Sequence, residues 1–488
     1  MKILLIRTPF EVEKHYFPRF IDEPLGIESL AAFISPYHET NVIDCISNGW
    51  NKYWELKDYP DKIFQGIKLS EIKKKIKKYK PNVIGISWLF STQSNSVNMV
   101  IDSIKDIDAN IKIIVGGSYP STHPQKVLND NKNIDIVVFG EGEITLKEVL
   151  DNLNNLDNID GIAYKKNNKT IVNKPRELIR DLNILPIPFR DVKLYKNYSK
   201  QNVFKYIYSL FKKNNFNYKF SIISASFVTS LPLVCDIYYY FFNQHRENKM
   251  PIADISTSRG CPNNCTFCAV KNIWGRSWRF RTAENVLEEI DILVKKYGIK
   301  HINIIDDNFN VSKDRIIKIC KGIIERDYNI TLSDTSGIYL PTLDEEVLIW
   351  LKRAGLNDIR ISIESGSDRV LHNIIKKNID LSKVKNIVDI CKKLNIHTEG
   401  CFMFGVPGEK IEDMEETLSF AKRCGFERIV RFIFQPFPNT ELHQVCIENN
   451  YLTDDYNESN LYVTGNKCYV KTEDFSPEDV LKFVNRKF

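Results

Sequence analysis

The chain has 488 residues, too many for one compact core, so two or three domains are expected. Hydrophobic residues make up 43% and charged residues 27%, the balance of a soluble globular protein, and a net charge of +6 is too small for this length to argue for a nucleic-acid partner. The 11 cysteines are odd in number and scattered except for one cluster, which suits a reducing compartment and not a disulfide framework. The apolar run Ile3–Ile6 is too short for a signal peptide, so the expected location is the cytoplasm.

In residues 1–150, short apolar runs alternate with helix-like segments. Ile3–Ile6, Asn41–Ile46, Val83–Ser87, Ile111–Val115 and Ile134–Phe139 read as buried parallel strands. Leu25–Ile34, Leu69–Tyr79, Ser96–Ile107 and Leu146–Leu153 read as helices between them. That alternation predicts an α/β, doubly wound, Rossmann-like sheet. The lysine-rich stretch 73–80 resembles a binding patch at first sight, but Leu69, Ile72, Ile76 and Tyr79 recur at helical spacing, so the lysines are the solvated face of a helix.

Residues 151–250 form a connector. Asp160–Tyr164 and Lys169–Val172 can pair as a hairpin, and Leu185-Pro186-Ile187-Pro188 is a stiff extended linker. Phe220–Phe242 is strongly apolar, with Asp236 as its single formal charge, and ends in five aromatics. It is expected to be a buried interdomain helix pair. The alternative is an element that touches a membrane surface peripherally or a lipophilic substrate. From 251 to 445, Ala253–Thr257, His301–Asp306, Thr331–Ser333, Asp358–Ile363, Thr398–Phe404 and Ile429–Gln435 read as strands, separated by helices such as Ala283–Tyr297, Lys313–Glu325 and Leu381–Leu394. Six such strands predict a partial (β/α)6 barrel of the TIM type, with its site at the carboxyl ends of the strands. Residues 446–488, the carboxyl-terminal extension, lack a clear pattern.

The chemistry concentrates in Ser258-Arg259-Gly260-Cys261-Pro262-Asn263-Asn264-Cys265-Thr266-Phe267-Cys268, directly after a predicted strand. Three thiolates this close converge on a metal or a cluster. Zinc usually takes four protein ligands in paired motifs, and no second cysteine pair is present. Cysteine also ligates four-iron clusters, and Cys261, Cys265 and Cys268 would leave one iron open for an external molecule.

This loop resembles that of the radical S-adenosylmethionine (radical SAM) superfamily, and the resemblance runs from about Ile252 to Tyr451. It implies a 4Fe-4S cluster on Cys261, Cys265 and Cys268, with S-adenosylmethionine chelated to the open iron and cleaved to a 5′-deoxyadenosyl radical. Further matches fall at strand ends. Asp306-Asp307-Asn308-Phe309 resembles the turn that meets the amino group of S-adenosylmethionine, with acidic residues in place of the commoner Gly-Gly-Glu. Glu364-Ser365-Gly366 resembles the ribose and methionine-side contacts, and Gly405-Val406-Pro407-Gly408-Glu409 the turn beside the adenine, where small residues allow close backbone approach. The resemblance therefore implies SAM contacts at Asp306, Asp307, Asn308, Glu364, Ser365, Gly405, Pro407 and Gly408. Arg279 and Arg281, after the loop, are candidates either to clamp an anionic substrate group or to take a structural role across the domain interface.

Residues 1–150 resemble the cobalamin-binding domain that precedes many radical SAM enzymes. The likeness lies at Gly85-Ile86-Ser87, Val115-Gly116-Gly117 and Gly140-Glu141-Gly142-Glu143, each closing a predicted strand, and at Pro24-Leu25-Gly26. It implies cobalamin contacts at Ser87, Gly116, Gly117, Gly140, Glu141 and Gly142. The Asp-x-His-x-x-Gly motif that ligates cobalt from below is missing, and His38 and His123 sit in other contexts. The implied function is a cobalamin-dependent radical C-methyltransferase, working on an unactivated carbon of a small-molecule substrate through the deoxyadenosyl radical and methylcobalamin. Its implied electron donor is a flavodoxin or ferredoxin. The alternatives are a non-methylating member, such as an oxidative cyclase or a rearranging enzyme, and a corrinoid or iron–sulfur sensor without catalysis. Methylthiotransferases carry a different amino-terminal domain with three more cluster cysteines.

Overall fold

The computed structural model describes residues 1–13, 23–190, 252–334, 336–461 and 467–486. It divides into two compact units, one built on Met1–Glu177 and the other on Ile255–Val294 and Ile302–Phe488. The apolar stretch Phe220–Phe242 lies outside the described residues. Among the described residues no helix is long and apolar enough to cross a membrane.

The first unit is a seven-stranded sheet. In chain order its elements are β1 (Lys2–Arg7), α1 (Leu25–Ile34), β2 (Glu39–Asp44), α2 (Leu69–Tyr79), β3 (Val83–Ser87), α3 (Ser94–Lys105), β4 (Lys112–Gly116), β5 (Ile136–Val138), α4 (Gly142–Asp151), β6 (Ile162–Lys166) and β7 (Lys169–Val172). The strands lie in the order β7-β6-β5-β4-β3-β1-β2, with β2 through β5 parallel and the last hairpin antiparallel. Successive side chains of a strand point to opposite faces, and both faces are covered. Leu4 and Ile6 pack with Ile72 and Ile76 of α2 and Val97, Ile101 and Ile104 of α3. Ile3 and Leu5 pack with Ile27 and Ile34 of α1 and Leu146 and Val149 of α4. The continuous apolar runs read as strands are therefore two cores interleaved. In α2 only Ile72 and Ile76 are buried, and the lysines between them face solvent or lie half-buried.

Two features differ from expectation, and one goes further than expected. The expected hairpin forms, and it extends the first sheet along β5. The strand expected to reach Ile46 stops at Asp44, whose carboxylate accepts the Ile46 amide at 3.0 Å and starts a helical turn. A small antiparallel sheet of Phe10–Glu13, Tyr59–Gln65 and Tyr53–Leu56 escaped the sequence reading, because its strands are short and rich in polar residues.

The second unit contains the sheet β8 (Ile252–Ile255), β9 (His301–Ile304), β10 (Thr331–Asp334), β11 (Leu356–Glu364), β12 (His397–Phe404) and β13 (Arg428–Ile433), whose strands neighbour one another in chain order. Helices α5 (Ala283–Tyr297), α6 (Lys313–Glu325), α7 (Glu345–Arg353), α8 (Leu381–Lys393) and α9 (Ile411–Cys424) separate them, and the pairs from β10 to β13 are parallel. Ile359, Ile361 and Ile363 are buried on one face of β11, while Arg360, Ser362 and Glu364 lie half-buried on the other. On β12, Phe402 is fully buried and meets Phe420 of α9 and Phe426 edge-on at 6.4 and 6.1 Å. The carboxyl-terminal stretch that showed no pattern contains a helix, α10 (Pro477–Asn485), started by a reciprocal cap between Ser476 and Asp479. Its Phe483 stacks on Phe404 at 6.1 Å.

Phe402→Ala should therefore cost about 3–5 kcal/mol in denaturant unfolding, the range for deleting a fully packed aromatic ring. A loss under about 1 kcal/mol would show that the Phe402–Phe420–Phe426 cluster does not hold β12 to its helices.

Candidate functional site

After β8 the chain enters the cysteine loop, and one carboxylate fixes the entry. Asp306, just beyond β9, accepts the Thr257 amide at 2.6 Å, the Thr257 hydroxyl at 2.5 Å and the Ser258 hydroxyl at 2.6 Å. Arg315 of α6 donates to the carbonyl oxygens of Thr257 at 2.9 Å and Arg281 at 2.7 Å. Burial raises the Asp306 pKa, with these donors working against it. Gly260 then turns the chain at φ +85, where a Cβ would stand 2.4 Å from the Ser277 carbonyl oxygen, so only glycine fits before Cys261.

Cys261, Cys265 and Cys268 are all free thiols. Burial pushes Cys265 up to about 12 and Cys268 up to about 11, and raises Cys261. Such thiols lose their protons to a metal and not to water. Two groups facing the loop favour negative charge there. The Asn308 amide Nδ2 donates to Cys261 Sγ at 2.8 Å. Lys377, buried, donates to the Ser362 carbonyl at 2.5 Å and to Glu364 Oε1 at 2.8 Å. Burial works to lower the Lys377 pKa, but Glu364 and the thiols raise it overall. The segment carrying Lys377 is pinned to the loop, since Thr266 donates through its amide to the Ile375 carbonyl at 3.0 Å and through its hydroxyl to that of Ile374 at 2.8 Å. Three proton-bearing thiols, an ammonium and an amide donor fit a four-iron cluster on three cysteines. Lys377 escaped the sequence reading because nothing in Lys376-Lys377 marks which lysine points inward.

The other strand-end residues divide by what they touch. Glu364 closes β11 at φ +76 after a break in register, a backbone region rare for a residue with a side chain. Asp307 accepts the Gly260 amide at 3.3 Å through Oδ2, and its carboxyl is pushed up to about 6, mainly by burial. Asp306 spends both oxygens on Thr257 and Ser258, as above. Ser365 meets the Thr417 hydroxyl at 3.1 Å, and a Cβ on Gly366 would stand 2.6 Å from Phe420 Cβ, so both face α9. Gly405, Pro407 and Gly408 form the turn after β12, with Pro407 buried and Gly408 exposed. Glu409 closes this turn by accepting the Gly405 and Val406 amides at 2.7 and 3.1 Å. Its other oxygen is buried without a partner among the described residues, an opening that fits a bound ligand. Arg279 donates to the Ile179 carbonyl at 2.6 Å, and Arg281 to the Ser256 carbonyl at 3.0 Å, to Asn285 at 2.6 Å and to Glu289. Through these bonds both arginines brace the fold.

In the first unit the strand order places a topological switch between β1 and β3, where ligands of doubly wound sheets bind. Asp44, Arg7, Ser87 and Gly116 stand side by side in register along the carboxyl edge. Arg7 grips Asp44 with two donors at 2.9 and 2.7 Å. Gly117 has φ +118, and a Cβ there would stand 2.5 Å from the Trp88 carbonyl oxygen. Its small size thus answers to a neighbouring backbone before any ligand. The Gly140 amide donates to the Ser121 hydroxyl oxygen at 3.0 Å, and Glu141 precedes α4 without capping it through its side chain. Thr8 Oγ1 and both amide atoms of Gln65 are buried without partners among the described residues, and such orphans fit a ligand with amides of its own, as a corrin has. Thr8 and Gln65 gave no sequence signal, since single polar residues at strand ends are common.

Comparison with known proteins bears on both units. Residues 255–421 match the model of the radical SAM superfamily, and residues 22–150 that of the B12 binding domain. The chain is 30% identical to an uncharacterized methyltransferase of Pyrococcus horikoshii, over 93% of this chain and 84% of that one. It is 26% identical to the cytidylyl-2-hydroxyethylphosphonate methyltransferase of Streptomyces wedmorensis, over 92% and 82%. It is 24% identical to the anaerobic magnesium-protoporphyrin IX monomethyl ester cyclase of a Synechocystis strain, over 81% and 67%. In fold it resembles the radical SAM methyltransferase TsrM of Kitasatospora setae, with a TM-score of 0.67 at 15% identity over 92% of this chain and 76% of that one. It also resembles the cobalamin-dependent radical enzyme OxsB, with a TM-score of 0.62 at 19% identity over 92% and 55%.

The buried carboxyls give the fold a pH dependence. Glu409 is pushed up to about 8 and Asp334 to about 7, in both cases chiefly by burial. The folded chain holds these protons where the unfolded chain has released them. Their stability contribution is therefore full below the ordinary carboxyl range and is lost as pH rises through the folded values. The thermal midpoint should fall between about pH 5 and pH 8, and Glu409→Gln, which can still accept both amides and has no proton to lose, should flatten that fall. A variant profile parallel to that of the wild type would remove Glu409 as its source.

Proposed function

This chain belongs to the radical SAM superfamily, in the branch that carries a B12-binding domain, and we propose that it is a methyltransferase acting on an unactivated carbon of a small molecule. Its cofactors are a four-iron cluster, S-adenosylmethionine and cobalamin. The observation that carries the methyltransferase reading is its likeness, across more than nine-tenths of its length, to two methyltransferases. When bound, the cluster and S-adenosylmethionine supply a carbon radical, and cobalamin supplies the methyl group.

The chain's own residues hold and orient. Cys261, Cys265 and Cys268 would ligate the cluster. Lys377 holds Glu364 in its left-handed turn and sets a positive charge near the thiols. Glu364, Asp307 and the Gly405–Glu409 turn offer polar groups to S-adenosylmethionine, while Asp306 and Ser365 hold the frame. Ser87, Gly116, Gly140, Glu141 and Gly142 border the place for cobalamin, with Gly117 shaping the turn behind them. No side chain needs to move a substrate proton, because hydrogen leaves the substrate as an atom. An electron donor of the flavodoxin or ferredoxin kind supplies the reducing electron.

The cyclase relative favours a second reading, an oxidative ring closure without methyl transfer. The products of S-adenosylmethionine separate the two. Reduced, anaerobically reconstituted protein supplied with S-adenosylmethionine, hydroxocobalamin and extract metabolites should release both 5′-deoxyadenosine and S-adenosylhomocysteine if it methylates. Deoxyadenosine alone would move the assignment to the cyclase reading, and neither product would sink catalysis. About four irons per chain should accompany activity. Changing Cys261, Cys265 or Cys268 to Ala should abolish both iron and deoxyadenosine, whereas Cys320→Ala and Cys424→Ala should leave them in place.

A further inference from the structure

We propose that Asn308 sets the reduction potential of the cluster through its hydrogen bond to Cys261. The inference rests on the reading that Cys261, Cys265 and Cys268 hold that cluster.

Asn308 falls in the turn whose resemblance implies contact with S-adenosylmethionine, yet its amide faces the cysteine loop. Its Nδ2 lies 2.8 Å from Cys261 Sγ, and the residue is 8% exposed. Its backbone is fixed from two sides, since its carbonyl oxygen accepts the Ser258 hydroxyl at 3.2 Å and the Trp278 indole N–H at 2.9 Å. Those donors flank the loop, one just before Cys261 and one after Cys268, so the amide is held at the sulfur by the same segment that carries the ligands. The amide oxygen turned to a thiolate would oppose two negative ends, so the NH2 group takes the sulfur side.

The three sulfurs are not equivalent. Among the described residues, Cys261 meets a side-chain donor as well as the Asn263 amide, Cys268 meets the Val270 amide, and Cys265 meets neither kind. Reduction by one electron adds negative charge that the ligand sulfurs share. A donor aimed at one of them stabilises the reduced form more than the oxidised form and raises the potential. Lys377 acts in the same direction, but Glu364 at 2.8 Å offsets its charge. The Asp307 carboxyl acts on Cys261 in the opposite direction, and Asn308 is the side-chain donor aimed directly at a ligand sulfur. Asn308 is thus a positioning residue for electron entry, one step outside the ligand set.

The test uses the full-length protein, reconstituted anaerobically without S-adenosylmethionine, in a redox titration followed by electron paramagnetic resonance. Asn308→Leu keeps the size and removes the donor. At the wild-type midpoint it should lower the ratio of reduced to oxidised cluster by about threefold or more. Asn308→Asp replaces the donor with an acceptor and should lower that ratio by more than about tenfold, a shift of more than about 59 mV for a one-electron couple. Iron-loaded variants that titrate with the wild type would overturn the proposal. Loss of the cluster from both variants would also overturn it and would assign Asn308 to the architecture of the loop. Wild-type protein that takes up no iron would sink the functional reading itself, an outcome distinct from an iron-loaded protein whose potential does not move.

Discussion

The carboxylate of Asp306 accepts three hydrogen bonds from Thr257 and Ser258, and the geometry around the cysteine loop follows from them. A buried carboxylate is expensive unless its oxygens are engaged, so the pairing is enforced from both sides. The strand-end turn at Asp306 fixes where the chain leaves β8. That in turn fixes Gly260 against Ser277 and begins the loop at Cys261. The turn also carries Asp307 and Asn308, so the residues nearest the thiols are placed by the same contact. Arg315 draws the Thr257 and Arg281 carbonyls to one guanidinium and ties the exit of the loop to its entry.

Much of this was legible because it is periodic or local. The helices at Leu25–Ile34, Leu69–Tyr79, Ala283–Tyr297 and Lys313–Glu325 have the bounds that apolar spacing gives. The cysteine loop is visible as three residues of one kind after a strand. What stayed hidden depends on residues far apart in sequence. The Arg7–Asp44 pair joins positions 37 residues apart, and Lys377 reaches Glu364 from beyond a π-helical turn at Val370–Ile374. No short window contains both partners, so no pattern announces them. The capped helix after Ser476 was local and still escaped, because only Val480 and Phe483 of it are buried.

The glycines and serines of the strand-end motifs carry a related lesson. Motif likeness groups Glu364, Ser365 and Gly366 as one ligand-binding unit. The structure separates them, with Ser365 and Gly366 turned to Thr417 and Phe420 of α9 and Glu364 held by Lys377. Gly117 likewise answers to the Trp88 backbone. Residues of this kind recur in a family for a packing reason that lies behind the ligand, and the side chain available for chemistry is one position away.

The left-handed backbone at Glu364 has a cost for anyone who would engineer this chain. A residue with a side chain in that region stores about 1–3 kcal/mol, and glycine there would release much of it. Screens for heat tolerance favour such relief and reward it by survival alone. At Glu364 the reward would be taken by erasing the carboxylate that Lys377 holds. Hardening the protein and keeping its chemistry therefore pull in opposite directions at this residue, and a library built for robustness should leave Glu364 fixed.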